Sequence, residues 1–275
     1  MNNISRRDFI KTTAVGTVGA VGAGGLLIAP GCKKEGWFAI PAFGMNILGA
    51  TSYKATIAEY ELSKNKDLTS WVKDSGTRIR DVVKQSEGSK VNGFEWSFEL
   101  LEDQTINAWC MPGARIAFYE GIMDQCKNEN GVAIVMGHEV AHAVYNHSGQ
   151  RMAQQLAIQL GITALSAVIE KRFADPDDSE IQKIARQVFG VGLQIGGQLA
   201  LLAYSRKHEH EADKLGLIYA AKAGYDPREA PEFWKRMSAL GGGGPQFLST
   251  HPSNDSRIKA LNDAMPEALQ YYKPA

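Results

Sequence analysis

Residues 138–142 read His-Glu-Val-Ala-His, and this stretch decides how the rest of the chain is interpreted. It lies within 131–147, a proline-free segment whose apolar residues predict a helix. Positions four apart on a helix share one face, about 5–6 Å apart, so His138 and His142 can both reach one tetrahedral ion. Glu139 comes one position after the first histidine and would stand beside the open position of that ion. The spacing therefore predicts a zinc site on a helix.

A third protein ligand must come from elsewhere in the chain. A metzincin would place a histidine six residues after His142, but this position is occupied by Ser148, which excludes that class. His147 is out of register, and we interpret it as a cap of the helix end. The remaining donors lie at the start of a second predicted helix, 209–221, or just before it. They are His208, Glu209, His210 and Glu211.

Spacing along this second helix favours Glu209 and leaves the other three donors open. Asp213 lies four residues after Glu209, so the two carboxylates share a face. One of them can bind the metal while the other accepts the N–H of a ligand histidine and fixes its tautomer. We therefore predict that Asp213 contacts a ligand histidine rather than the metal.

The two segments together resemble the zinc site of the HtpX-like and CAAX-prenyl-protease-like gluzincin metallopeptidases. The resemblance covers roughly residues 50–272, and it implies that Glu209 is the third ligand. It also implies that His251 and Arg257 line the active site. The chain departs from the family at Ala114, where a second glycine is common. Further motifs occur in the family's order, at 107–113, 224–227 and 251–258.

The resemblance implies a zinc-dependent endopeptidase with one Zn²⁺ per chain. Three protein ligands leave a fourth position for water, from which Glu139 would take a proton and pass it to the leaving amine. His251 is the predicted donor to the oxyanion that forms in the reaction. The strand that begins near Asn107 would pair with the substrate backbone, and Arg257 is also predicted to contact substrate. Polypeptides are therefore the predicted substrates.

The expected fold is α+β, a mostly helical zincin-like domain with a small antiparallel sheet beside the HExxH helix. Strict alternation over 94–100 predicts a half-buried strand, and shorter strands are predicted at 105–109 and 115–119. Asn130 is the predicted N-cap of the motif helix, and Gly224 predicts the end of the second ligand helix. Helices are predicted at 51–85, 131–147, 151–170, 180–204 and 209–221, from Asp226 onward, and at 255–268.

The N-terminal segment predicts export. Arg6 and Arg7 precede an uncharged, glycine-rich stretch, which resembles a twin-arginine export signal. The strongly apolar part is very short, which favours export over a permanent membrane anchor. Residues 29–32 resemble a lipobox and predict lipidation of Cys32. The predicted division is an export signal at 1–31, a tether at 32–50 and the metallopeptidase domain at 51–275.

Composition and the N-terminal segment bound the function. The formal net charge is zero, which argues against a nucleic-acid partner. The sequence has no convincing membrane-spanning helix, so it is placed with the exported, lipoprotein-like branch of the family (LoiP- and BepA-like). That branch implies a lipid-anchored protein on the periplasmic side of a bacterial envelope. Misfolded or partly unfolded envelope proteins are the predicted substrates, and envelope assembly machinery is a further predicted partner.

The sequence leaves open two alternative functions of the zinc site and the possible disulfide between the two remaining cysteines. A latent zinc site would leave an envelope assembly factor or holdase with little proteolysis. A purely structural zinc site would need a fourth ligand, for which His208 or His210 is the candidate. Cys110 and Cys126 could form a disulfide or remain two buried thiols.

Overall fold

The described part of the chain contains the motif helix and the second ligand helix. Outside it lie the predicted export signal, Cys32, the predicted helix 180–204 and most of the predicted helix 151–170. The computed structural model describes residues 42–151, 206–240, 247–248, 251 and 255–274.

Helices make up most of the described residues and are joined by one small sheet, which confirms the predicted α+β class. A short 3₁₀ turn, Gly88–Val91, follows the second helix. The helices are α1 (Ala42–Ile57), α2 (Lys66–Glu87), α3 (Glu120–Cys126), α4 (Glu129–Val144), α5 (206–222 of the described residues), α6 (Glu229–Ala239) and α7 (Asp255–Leu269).

The first two helices correct the sequence prediction. α1 begins at Ala42, so the last part of the segment predicted as a tether is helical. The predicted helix 51–85 is divided, because the chain between α1 and α2 extends and Leu62 forms a β-bridge with Leu101. Asn65 then begins α2 by accepting a backbone hydrogen bond from its first turn, at 3.2 Å.

Three short strands form a mixed sheet: β1 (Ser97–Leu101), β2 (Ala108–Met111) and β3 (Arg115–Tyr119). β3 lies in the middle, antiparallel to β2 and parallel to β1. The predicted antiparallel sheet is therefore right for the β2–β3 hairpin and wrong for β1. The loop after β1 crosses to the far edge of the sheet, where β2 runs antiparallel to β1. The hairpin then places β3 between β1 and β2, and β3 runs parallel to β1. Gly113, at φ 87°, allows the tight hairpin turn.

α4 is the central helix of the described domain. All residues of Gly131–His142 are buried, and the helix packs against α2, α3, α6 and β2. A helix that is apolar on nearly all sides is stable only when it is covered on all sides. Asn128 caps it, accepting hydrogen bonds from the N–H groups of Asn130 and Gly131, so the predicted cap at Asn130 is wrong by two residues.

The C-terminal helices confirm one predicted boundary and move another. Gly224 has a left-handed φ of 86° just after α5, as predicted for a helix end. α6 begins at Glu229, whereas the sequence predicts its first residue at Pro227 after an Asp226 cap. The Asp226 side chain instead accepts a hydrogen bond from the N–H of Arg228, at 3.0 Å, and forms a turn before the helix.

The structure also shows the state of the two cysteines and the character of the described helices. Cys110 and Cys126 are both free thiols, so no disulfide joins them. Among the helices of the described residues, none has the length and apolar character needed to cross a bilayer.

Candidate metal centre

Two glycines bring the motif helix and the second ligand helix into backbone contact. A Cβ atom at Gly137 would lie 2.5 Å from the carbonyl oxygen of Gly216. One at Gly216 would lie 2.6 Å from the backbone nitrogen of His138. Because neither position has room for a side chain, α4 and α5 approach more closely than larger residues would allow. This contact sets the distance between the histidines of α4 and Glu209 of α5.

Four side chains converge between these helices: His138, His142, Glu209 and His251. Their ligand atoms all lie within 4.8 Å of one another. The Nε2 atoms of the two α4 histidines are 3.1 Å apart. The Glu209 carboxylate spans them, with Oε2 at 3.3 Å from His138 Nε2 and Oε1 at 3.4 Å from His142 Nε2. The structure thus brings together the three residues predicted as ligands and adds a fourth donor.

The fourth donor, His251, has its two ring nitrogens in different surroundings. Nδ1 lies 3.1 Å from His138 Nε2 and 3.0 Å from Glu209 Oε2, inside the ligand group. Nε2 lies 3.4 Å from Glu139 Oε1, beside the predicted base. An oxyanion donor would be expected beside the ligand group. In the structure, one ring nitrogen of His251 lies within the ligand group instead.

The spacing of the donor atoms fits a zinc ion. Donors about 2.0–2.1 Å from a tetrahedral zinc lie roughly 3.3–3.4 Å from one another. Five of the separations within the ligand group, all that involve His138 or Glu209, run from 3.0 to 3.4 Å, close to that value. Imidazole nitrogens with one carboxylate are also a donor set that zinc binds in proteins. The residues present therefore fit the predicted cofactor.

The electrostatics of the cluster also favour a cation. Burial alone would lower the pKa of His138, but its hydrogen bonds with Asp213 and Glu209 outweigh burial and raise the pKa to about 9. Burial likewise opposes ionisation of Glu209, yet His251 and His138 hold the pKa of that carboxyl well below its usual range. The carboxylates of Glu209 and Asp213 therefore make this buried cluster favourable for a positive charge.

On one side of the ligand group, a buried ion pair supports His138. His138 Nδ1 lies 3.0 Å from Asp213 Oδ1. Arg257 donates two hydrogen bonds to Asp213, from Nε to Oδ2 at 2.7 Å and from Nη2 to Oδ1 at 2.6 Å. Its Nη1 lies 3.0 Å from Glu209 Oε2, and its guanidinium lies 3.7 Å above the ring of Trp234. We call His138, Asp213 and Arg257 the Asp213 flank.

On the other side, neutral side chains support His142. His147 Nδ1 lies 2.9 Å from His142 Nδ1, and the His147 ring stacks on His208 with centroids 4.3 Å apart. His147 Nε2 lies 3.3 Å from Glu211 Oε2. Burial, aided by the neighbouring His208, lowers the pKa of His147 to about 3, so its ring is neutral. We call His142, His147 and Glu211 the His147 flank.

Glu139 lies beside the ligand group and outside it. It is 2% exposed and is not among the four converging residues. Burial raises the pKa of its carboxyl, although His251 and His138 oppose the increase. A raised pKa brings a carboxylate nearer to the range in which a general base works best at neutral pH. The position suits the role predicted for Glu139.

The three rival donors of the sequence analysis lie outside the ligand group. His208 stacks on His147, His210 Nε2 lies 3.5 Å from Ser256 Oγ, and Glu211 belongs to the His147 flank. In the part of the chain that the structure describes, the fourth donor is therefore His251 and not His208 or His210.

Two residues predicted to bind substrate are both buried. Arg257 is 1% exposed, and its donors contact Asp213 and Glu209. The guanidinium is engaged with these two carboxylates, and the predicted substrate contact of Arg257 stays a prediction. Asn107, just before β2, is 6% exposed, and its Oδ1 has no hydrogen-bond partner among the described residues. Its contact with substrate stays a prediction.

The HExxH helix and the glutamate of a neighbouring helix define a zincin-type metallopeptidase domain of the gluzincin class. The family model for peptidase family M48 matches residues 70–265. The chain therefore belongs to peptidase family M48, which confirms the family and the zinc cofactor predicted from the motifs.

Curated relatives agree with this family. The chain is 32% identical over 229 residues to the mitochondrial metalloendopeptidase OMA1 of Arabidopsis thaliana, which covers 82% of this chain and 43% of that protein. It is 33% identical over 183 residues to the mitochondrial metalloendopeptidase OMA1 of Schizosaccharomyces pombe, covering 66% of this chain and 50% of that protein. It is 31% identical over 180 residues to a putative beta-barrel assembly-enhancing protease of Vibrio cholerae, covering 64% and 35%. The chain thus spans half or less of the length of these relatives.

His147 is the site residue that sequence reasoning missed. The interpretation of His147 as a helix cap is wrong, because Tyr145 caps α4 and Asn146 adopts a left-handed φ of 53°. This conformation turns the chain so that His147 is 1% exposed and contacts His142. Asparagine adopts left-handed φ more readily than most residues, so the Asn-His pair was the available signal.

Proposed function

We propose that the chain is a zinc-dependent endopeptidase. The convergence of His138, His142 and Glu209, with Glu139 buried beside them, carries this proposal. A zinc ion bound there supplies Lewis acidity that polarises a scissile carbonyl and makes water a stronger nucleophile. Because Glu139 is outside the ligand group, its carboxylate is available to take the proton of the attacking water. Glu139 then passes that proton to the leaving amine nitrogen.

Asp213 and Arg257 act on the ligands. Asp213 Oδ1 lies 3.0 Å from His138 Nδ1 and so favours a proton on that nitrogen, which leaves Nε2 to face the ion. Arg257 keeps Asp213 ionised and places its remaining donor on Glu209. Both residues thereby hold the ligand group in one geometry.

An extended polypeptide is the substrate that the sheet favours. β2 is an edge strand of the described sheet, and a small cleft lies between its end and the motif helix. Cys110, Met111 and His142 are among its lining residues. An added strand is held mainly by backbone hydrogen bonds and is tolerant of sequence, which suits misfolded or partly unfolded proteins. We propose that Asn107, just before β2, contacts such a strand.

We place the protein on the periplasmic side of a bacterial envelope, with a lipid anchor on Cys32. The paired arginines and the lipobox-like residues support this location. The Vibrio relative is named for beta-barrel assembly, which supports envelope proteins as substrates and assembly machinery as a partner. Cys32→Ser should move the protein from the membrane fraction to the soluble fraction. Retention in the membrane with residues 1–31 uncleaved would contradict the lipid anchor.

Casein cleavage and zinc content together test the proposed activity. Glu139→Gln should keep its zinc and its fold and lose nearly all turnover, because it removes a base and not a ligand. Glu129→Gln, an exposed glutamate in the first turn of the same helix, is the matched control and should cleave normally. Cleavage by Glu139→Gln at the wild-type rate would reject the proposed mechanism.

The position of His251 favours a second candidate, an envelope assembly factor or holdase with a latent zinc site. His251 Nδ1 lies inside the ligand group, where it would fill the position that a catalytic zinc site keeps open. Turnover of His251→Ala distinguishes the two functions. A rate above wild type supports the latent site, whereas a loss of about 10²–10³-fold supports the oxyanion donor.

A further inference from the structure

A hydrogen bond between two ring nitrogens of the same kind links His142 to His147. The two Nδ1 atoms lie 2.9 Å apart, so one of them must carry the proton. His142 Nε2 belongs to the ligand group, and a ligand nitrogen offers the metal its lone pair. The single proton of the His142 ring is then on Nδ1. His142 therefore donates, and His147 accepts through its own Nδ1.

This arrangement also fixes the tautomer of His147. With Nδ1 accepting, the remaining ring nitrogen, Nε2, is the one that carries the proton, and it lies 3.3 Å from Glu211 Oε2. This separation is an ion-pair distance, and His147 Nε2 makes no hydrogen bond among the described residues.

The ring of His147 is held in this orientation by its surroundings. It is 1% exposed, and it stacks on two rings, at 15° to His208 and at 14° to Tyr145. Rotation of the His147 ring would disrupt both stacks and turn its acceptor away from His142. The acceptor is therefore in place whether or not a ligand ion is bound.

We infer that His147 is a positioning residue of the metal centre. It accepts the Nδ1–H of His142 and so keeps the His142 ring oriented with Nε2 toward the ion. Asp213 does the same for His138, but there the acceptor is a carboxylate. This inference rests on the proposed zinc site and extends it to a residue outside the ligand group.

Three substitutions at His147 separate the acceptor from the shape of the side chain. His147→Asn places an amide oxygen near the position of Nδ1 and so keeps an acceptor for His142. His147→Leu fills much of the same volume and has no acceptor. His147→Gln is the matched polar control, because its amide falls nearer to the position of Nε2 than to that of Nδ1.

Zinc affinity, measured by competition with a chromophoric chelator, is the main readout. We expect His147→Leu and His147→Gln to bind zinc about 10–100-fold more weakly than wild type, the usual effect of removing such a partner. His147→Asn should stay close to wild type. The visible absorption of the Co²⁺-loaded proteins gives a second readout. Only His147→Leu and His147→Gln should shift the Co²⁺ absorption bands relative to wild type. Melting temperatures of the metal-free proteins show whether each variant folds. If His147→Leu does not fold, the comparison of His147→Asn with His147→Gln still tests the inference.

Wild-type zinc affinity in both His147→Leu and His147→Gln would overturn the inference. Equal weakening in Asn, Leu and Gln would also overturn it, because the ring shape rather than the acceptor would then matter. A wild-type protein that binds no zinc would instead reject the proposed function on which the inference rests.

Discussion

The two histidines of the motif helix are supported in opposite ways. The Asp213 flank behind His138 is charged, almost wholly buried, and joins α4, α5 and α7. The His147 flank behind His142 is neutral at its centre, joins only the end of α4 to the start of α5, and finishes at Glu211, whose side chain is 38% exposed. Two ligands four residues apart thus depend on different physical interactions.

The charged and the neutral flank should therefore contribute differently to the stability of the fold and to metal binding. Removing one partner of a buried ion pair leaves an uncompensated charge and costs about 3–5 kcal/mol. A neutral hydrogen bond contributes only about 0.5–1.5 kcal/mol to stability. We therefore expect the Asp213 flank to stabilise both the fold and the ligand group, and the His147 flank to act mainly on the metal.

The largest effect is expected from the outer residue of the Asp213 flank. Arg257→Ala should lower the free energy of unfolding by about 3–5 kcal/mol, because Asp213 and Glu209 lose a buried cation. Urea denaturation of the metal-free protein measures this change. Arg228→Ala, which breaks an exposed pair with Asp226, is the control and should change little. A loss below about 1 kcal/mol in Arg257→Ala would show that the ion pair is not structural.

A smaller effect is expected where the two ligand helices touch. Gly216→Ala should cost about 1–3 kcal/mol, because the added methyl group meets the backbone of α4 near His138. The same displacement should weaken zinc binding by moving Glu209 away from the histidines. Lys214→Ala, at an exposed site on the same helix, is the control. If Gly216→Ala melts and binds zinc as wild type does, the backbone contact does not set the ligand distance.

The smallest effect is expected from the outer residue of the His147 flank. Glu211→Gln should change the free energy of unfolding by about 0–1 kcal/mol, since its carboxylate is partly exposed and lies 3.3 Å from a neutral imidazole. Urea denaturation beside Arg257→Ala compares the outer residues of the two flanks directly. Losses of equal size in the two variants would remove the distinction between the flanks.

The sequence predicts one flank better than the other for a physical reason. Glu209 and Asp213 are four residues apart on one helix, so local periodicity places both carboxylates on one face. His147 depends instead on the left-handed conformation of Asn146, which breaks the helical register that spacing arguments assume. The motif helix and the shared face of Glu209 and Asp213 were therefore predictable from local periodicity, whereas the His142–His147 contact was not.

Tertiary packing explains the other differences. The parallel pairing of β1 with β3 depends on the path of a loop past the hairpin, and alternation within the strands carries no information about it. Arg257 is polar and was expected near substrate, but Asp213 and Trp234 enclose its guanidinium. Neither partner is near Arg257 in sequence, so its burial follows only from the three-dimensional structure.

The zinc content of two glutamate variants tests the proposed metal centre most directly. Glu209→Ala and Glu211→Ala make the same change two residues apart on α5, one inside the ligand group and one outside it. After dialysis against a weak chelator, Glu211→Ala should retain one zinc per chain, and Glu209→Ala should retain almost none. Equal zinc loss from the two variants, or retention by both, would contradict a metal centre built from His138, His142 and Glu209.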